Sequence, residues 1–246
     1  MPSRSSLGPV LFLAFALPLS APAAGPAPAE IIKQADDVRA PQFEYSMNVK
    51  VRSVGKGDPV DDTYRVSVRG MQASLVEQTE PERLRGRKLL MLERDLWLYT
   101  PNTRRPTRVS FEQKLTGEVS NGDVSRTNFS GDYEPKVTGQ EKVAGQDAWK
   151  LRLTATSKDV TYHMIDYWVA KKGSVPLKAV FYAKSGKALK TATYMNLKPV
   201  LGKNRVTRTV ITDFLQPGRQ SVIDNYEYKR EKFDDAIFSK ETLGDK

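Results

Sequence analysis

The feature that most limits what this chain can become is a succession of short runs in which every second residue is apolar, cut apart by turn residues. In FEYSMNVKV, Phe43, Tyr45, Met47, Val49 and Val51 hold alternate positions, and the glycines of VGKGD close the run. A period of two sends successive side chains to opposite faces, so such a run reads as a half-buried strand. TYRVSVRGMQASLVE carries Tyr64, Val66 and Val68 on one parity and Met71, Ala73 and Leu75 on the other, which predicts a bulge or bend at Gly70. Residues 89–92, 96–99 and 109–111 are three further apolar runs separated by charged or Pro-bearing turns, the pattern of consecutive antiparallel strands. The segment 117–131, GEVSNGDVSRTNFSG, has only Val119, Val124 and Phe129 as apolar side chains and predicts a long loop that dips inward at those points.

Further on, Trp149, Leu151 and Leu153 face one way in AWKLRLTA, and HMIDYWVAK is another strand. Ser185-Gly186 predicts a hairpin that sets Leu177, Ala179, Phe181 and Ala183 opposite Leu189, Thr191, Thr193 and Met195. Gln216-Pro217-Gly218-Arg219 predicts a type II turn for the last hairpin. Only the ends read as helix. EIIKQADDVRA places Ile31, Ile32, Ala35 and Val38 on one face before Pro41 stops it, and FDDAIFSKETL predicts a short closing helix. The fold class is therefore mainly β with an α+β character: about ten strands in a strongly curved antiparallel sheet, a half-closed barrel, with short helices as lid or plug. A concave face of that size must be filled by side chains, a helix or a ligand.

Before this domain, Arg4 precedes the apolar residues 10–17, and SAPAAGPAPA follows, as in a secretory signal cleaved near Ala23 or Ala24. Residues 1–24 are accordingly assigned to the signal and 25–246 to one exported domain. The chain has no cysteine, so neither a disulfide nor a lipidated cysteine is expected. Its net charge of +10 arises from basic residues interspersed with acids, which suits a solvated basic surface better than a nucleic-acid track.

Catalytic sets are missing. His163, the single histidine, has no cysteine to share a zinc site and no serine in a G-x-S-x-G turn to activate. No phosphate-cradling loop precedes a helix, and Asp61-Asp62 and Asp234-Asp235 fall where turns and caps are predicted. Enzyme, cofactor and metal roles are not expected. What remains are the large apolar side chains assigned to the concave face: Trp97, Tyr99, Phe111, Phe129, Trp149, Leu151, Trp168 and Phe181. By type they either fill a core or line a cavity. Arg104, Arg105 and Arg108 form a basic turn, solvated or in contact with anionic head groups or an acidic partner.

Two stretches, LWLYTPNTRRPTRVSF and SNGDVSRTNFSGDY, together with KVAGQDAWKLRL and FDDAIFS, resemble the outer-membrane lipoprotein-sorting proteins, periplasmic carriers of the LolA-like fold, in an uncharacterised branch. The resemblance implies a cavity for acyl chains between an incomplete barrel and lid helices. On that basis the eight large side chains line a lipid cavity, and Ile31, Ile32, Ala35 and Val38 cover its mouth. The implied role is a monomeric carrier or chaperone of lipoprotein acyl chains or other lipids towards the outer membrane, with envelope membrane proteins as donor or acceptor. The other reading is an envelope interaction protein with a self-filled barrel, possible accessory to an exporter of hydrophobic molecules.

Overall fold

A computed structural model describes residues 25–55, 57–103, 105–126 and 128–244; the expected signal at 1–24 and Arg104 lie outside the described residues. The chain opens with α1 (Pro28–Arg39) and continues through β1 (Tyr45–Gly55), β2 (Asp61–Arg69), β3 (Ala73–Glu80), β4 (Lys88–Leu92), β5 (Asp95–Tyr99) and β6 (Thr107–Arg108). A small hairpin follows, β7 (Lys114–Thr116) and β8 (Val119–Ser120), and then α2 (Asn121–Ser125). The second half is β9 (Tyr133–Val143), β10 (Gln146–Ala155), β11 (Met164–Ala170), β12 (Pro176–Tyr182), β13 (Ala188–Val200), β14 (Lys203–Asp213) and β15 (Arg219–Arg230), closed by a 3₁₀ turn at Asp235–Phe238.

Thirteen strands form one antiparallel sheet in the order β6-β5-β4-β3-β2-β1-β15-β14-β13-β12-β11-β10-β9, and β7-β8 stand apart. The expected ten strands are thus too few. The strand that sequence periodicity misses is β9, a polar edge strand carrying Pro135 and Gly139, which edges tolerate and central strands do not. The sheet stays open, since β6 and β9 end the order without pairing with each other. Register shifts interrupt β1-β15, β10-β9, β11-β12 and β12-β13, and bulges of this kind add the local twist that bends a sheet. The bend is large enough for α1 alone to touch β9, β11, β12 and β14.

Two local expectations change. Gly70, at φ +56°, belongs to the tight turn of the β2-β3 hairpin, where Arg69 pairs with Ala73, so the parity switch marks a reversal of the chain and leaves Met71 exposed. In β13 the register is displaced by one residue: Ala179 faces Ala192 and Phe181 faces Lys190. Because side chains alternate, that slip turns Lys190, Ala192 and Tyr194 inward and leaves Met195 exposed. The Pro-Gly turn follows its rule, with Gly218 at φ +84° and Arg219 N–H donating to the Gln216 carbonyl at 3.2 Å.

Candidate functional site: a covered cavity on the inner face of the sheet

The main apolar core lies on the concave face, where Val49, Val66, Leu96, Leu151, Ile165 and Ile211 come from strands spread along the sheet. α1 covers it. Its Ile31, Ile32 and Ala35 are buried within this core, and Val38 is half-buried. The same helical face also carries Asp36 and Arg39, at the spacing of four and seven from Ile32 that brings residues into line. Asp36 is 1 % exposed. Its carboxylate accepts from Phe129 N–H at 3.0 Å and Ser130 N–H at 2.7 Å, fastening the helix to the loop before β9. Burial pushes its carboxyl above the ordinary value, against the pull of Arg39 and those hydrogen bonds. At the rim, Asp37 pairs with Lys203 and Arg205, and Ser174 Oγ donates to Gln34 Oε1 at 2.7 Å.

Opposite α1, the 121–133 segment is bolted from below. Lys190 Nζ donates to the Glu118 carbonyl, Ser120 Oγ and Asp123 Oδ2 at 2.9, 3.0 and 2.9 Å, while Tyr162 donates to the other Asp123 oxygen at 2.6 Å. A capping box at Ser120 and Asp123 starts α2. Gly122 packs so tightly that a Cβ there would sit 1.8 Å from Thr161 Oγ1.

Between this segment, α1 and the sheet lies a cavity of about 80 Å³ that opens to solvent. Met47, Val49, Phe181, Ala192, Ile211 and Ile223 form its apolar wall, and Phe129 and Tyr133 the side towards the loop. Polar side chains share the lining: Arg39, Asp123, Arg126, Asn128 and Asp132 on the helix and loop side, Thr209 and Asn225 on the sheet. Arg39 lies with its guanidinium carbon 4.0 Å from the Phe129 ring centre and 5.6 Å from that of Tyr194. Arg126 pairs with the buried Asp132. Burial, opposed by Arg39, leaves the Tyr194 phenol pushed up to about 12, so it stays neutral at physiological pH. An apolar wall facing convergent polar groups is the arrangement of a binding pocket.

A family model described only as an uncharacterised protein matches residues 70–245. The crystal structure of a LolA superfamily protein from Nitrosomonas europaea superposes with a TM-score of 0.84 at 38% identity, over 88% of this chain and 99% of that one. The chain belongs to the LolA superfamily. A domain assigned to outer-membrane lipoprotein sorting from Vibrio parahaemolyticus shares the fold, with a TM-score of 0.75 at 22% identity over 88% of this chain and 97% of that one. So does a DUF1329 family protein from Desulfovibrio piger, at 0.75 and 23% identity over 87% and 97%. No curated protein sequence matches.

In this LolA-superfamily chain the large side chains singled out in the sequence divide between two faces. Phe129 and Phe181 line the cavity. Phe111 and Leu151 are buried in the same concave core without bordering the cavity, and Trp149 packs at its margin beneath Lys171. Trp97 and Tyr99 lie on the other side of the sheet, in a cluster with Leu90, Phe238 and Leu243. Their neighbours Leu96 and Leu98 are the inward pair of β5, so the aromatic runs were assigned to the wrong parity. Trp168 likewise joins Ala170, Leu177 and Val180 in a separate outer cluster, its indole N–H donating to Glu141 at 2.9 Å. In the basic turn Arg105 and Arg108 are exposed, and Arg108 is engaged by Asp95. The site residues that periodicity missed are polar groups on apolar faces: Asp36 and Arg39 on the helix, and Lys190 and Tyr194 on β13. The signal available was the interruption of the α1 apolar face by an acid and a base three residues apart.

Proposed function

We propose that this protein is a periplasmic carrier that shelters an acyl chain between the inner face of its sheet and α1. The observation that carries the reading is the cavity itself, walled on one side by apolar strand residues and bordered by Arg39 of α1, whose Ile31, Ile32 and Ala35 pack on the adjoining core. Magnitudes favour it. At about 0.8 kcal/mol per methylene, burying a sixteen-carbon chain yields roughly 13 kcal/mol gross. Exposing two isoleucines when α1 lifts costs about 3–6 kcal/mol, so an entering chain offsets the opening even after ordering costs are taken. Such a chain, at ~30 Å³ per water-sized group, needs roughly 480 Å³. That is well above the cavity's about 80 Å³, so uptake requires α1 or the 121–133 segment to yield.

The cargo class is lipoprotein acyl chains or another lipid destined for the outer membrane, exchanged with envelope membrane proteins. Arg105 and Arg108 offer a basic turn for anionic head groups at such a meeting. No reaction is assigned to the protein. A neutral fluorescent hydrophobe, 1-N-phenylnaphthylamine, tests the reading. Saturable one-to-one uptake is expected, and Ala192→Phe, which fills the cavity from β13, abolishes it while the protein remains folded by circular dichroism. Absence of uptake by the wild type would favour the second role, an envelope interaction protein whose sheet is filled by its own side chains.

A further inference from the structure

Four charged side chains border the cavity: Arg39, Asp123, Arg126 and Asp132. Three of them are fully engaged. Asp123 is held by Lys190 and Tyr162, and Arg126 and Asp132 form a two-pronged pair. Arg39 differs. Its nearest carboxylate oxygen, Asp36 Oδ1, is 3.5 Å away, and that oxygen already accepts from Phe129 N–H. Among the described residues the buried Arg39 Nη1 has no hydrogen-bond acceptor. The aromatic faces of Phe129 and Tyr194 supply only part of what a desolvated cation requires. A guanidinium is a rigid fork of five N–H donors matched to the paired oxygens of a carboxylate or phosphate. Here the fork stands beside a wall of Met47, Val49, Phe181, Ile211 and Ile223.

We propose that the cavity takes a single-chain amphiphile with an anionic head group, carboxylate or phosphate, whose oxygens meet the Arg39 fork while the chain lies along the apolar wall. The proposal rests on the carrier reading and specifies its ligand. One chain of sixteen carbons, roughly 480 Å³ at ~30 Å³ per group, already exceeds the resting cavity, and a second would double the opening required. Arg39 also sits at the last turn of α1, so an anion bound there joins the cover to the cargo and makes closure depend on a filled site.

The test displaces 1-N-phenylnaphthylamine from wild-type protein with dodecanoate, dodecyl phosphate or dodecanol, each below its micellar concentration and with the acids ionised. The alcohol enters apolar surroundings more readily than a charged head group does, so partition alone favours it. The expected result is displacement by an acid at concentrations at least about tenfold lower than the alcohol, the size of one charge-assisted contact. Which acid prevails identifies a fatty acid or a phosphate head group as the source. In Arg39→Met the ratio of acid to alcohol falls to about one, and in Arg39→Lys it is partly kept. Equal displacement by acid and alcohol in the wild type, or an unchanged ratio in Arg39→Met, overturns the proposal and leaves the carrier reading standing. Failure to take up the neutral probe at all ends both.

Discussion

At the scale of single residues, the site depends on a charged cluster inside an apolar face. Lys190 and Asp123 are both about nine-tenths buried and 2.9 Å apart, and the three acceptors around Nζ leave no proton of the ammonium without a partner. Such a pair adds little over a well-packed apolar one, but removing one member strands the other. Lys190→Met is therefore expected to cost about 3–5 kcal/mol, read as a fall in the urea midpoint. Gly122 serves the same junction by having no side chain. Gly122→Ala drives a Cβ into Thr161 and is expected to lose about 1–3 kcal/mol, and Thr161→Ala in the same chain should recover part of that loss by removing Oγ1, the closest atom. If both changes were neutral in denaturant titrations, the 121–133 segment would not be bolted as described.

At the scale of elements, α1 is the part that the proposed carrier function requires to move. It is short, its apolar contact is mostly Ile31, Ile32 and Ala35, and its polar ties are concentrated in Asp36 and Asp37. Loss of the Asp36 carboxylate frees Phe129 N–H and Ser130 N–H from the helix, so Asp36→Ala is expected to raise the release rate of a bound fluorescent hydrophobe severalfold with little change in far-ultraviolet circular dichroism. Stopped-flow dilution measures it, and an unchanged rate would show that α1 does not gate the cavity. The helix, its apolar face and most strands were legible in the sequence because alternation and helical spacing leave a residue-level pattern. Parity across bulges was not. In β5 the aromatic residues Trp97 and Tyr99 looked like the buried set, yet Leu96 and Leu98 face the core and a C-terminal cluster covers the aromatics. In β13 a register shift beside Phe181 exchanged Leu189 and Thr191 for Lys190 and Ala192. No local pattern encodes such a shift, because it is fixed by the pairing of distant segments. The cavity's polar residues were hidden for a related reason: a charge on an apolar face reads as noise until its partner is placed beside it.

At the scale of the molecule, an open sheet of thirteen strands keeps its concave face because the segment between its edges is tied back to its middle. Glu118 is one of those ties. Its side chain is 1 % exposed, Arg219 reaches it at 2.8 Å, and Glu118 N–H donates to Ser221 Oγ at 2.9 Å. Burial, and next its hydrogen bond with Asp213, raise the Glu118 carboxyl above its ordinary 4.5. A raised carboxyl means that the folded protein holds its proton more tightly than the unfolded chain. The corresponding stability is complete below 4.5 and is lost as pH rises through the folded value. The Tm advantage of wild type over Glu118→Gln should thus grow as pH falls from neutrality towards 4.5, and a constant difference would contradict it. The architecture as a whole serves to keep the cavity. The decisive experiment is native mass spectrometry of the protein purified from its native host, followed by lipid extraction. Near-stoichiometric release of a single-chain anionic amphiphile or an acylated peptide is expected. An apo mass from protein that also refuses a fluorescent fatty acid would contradict it.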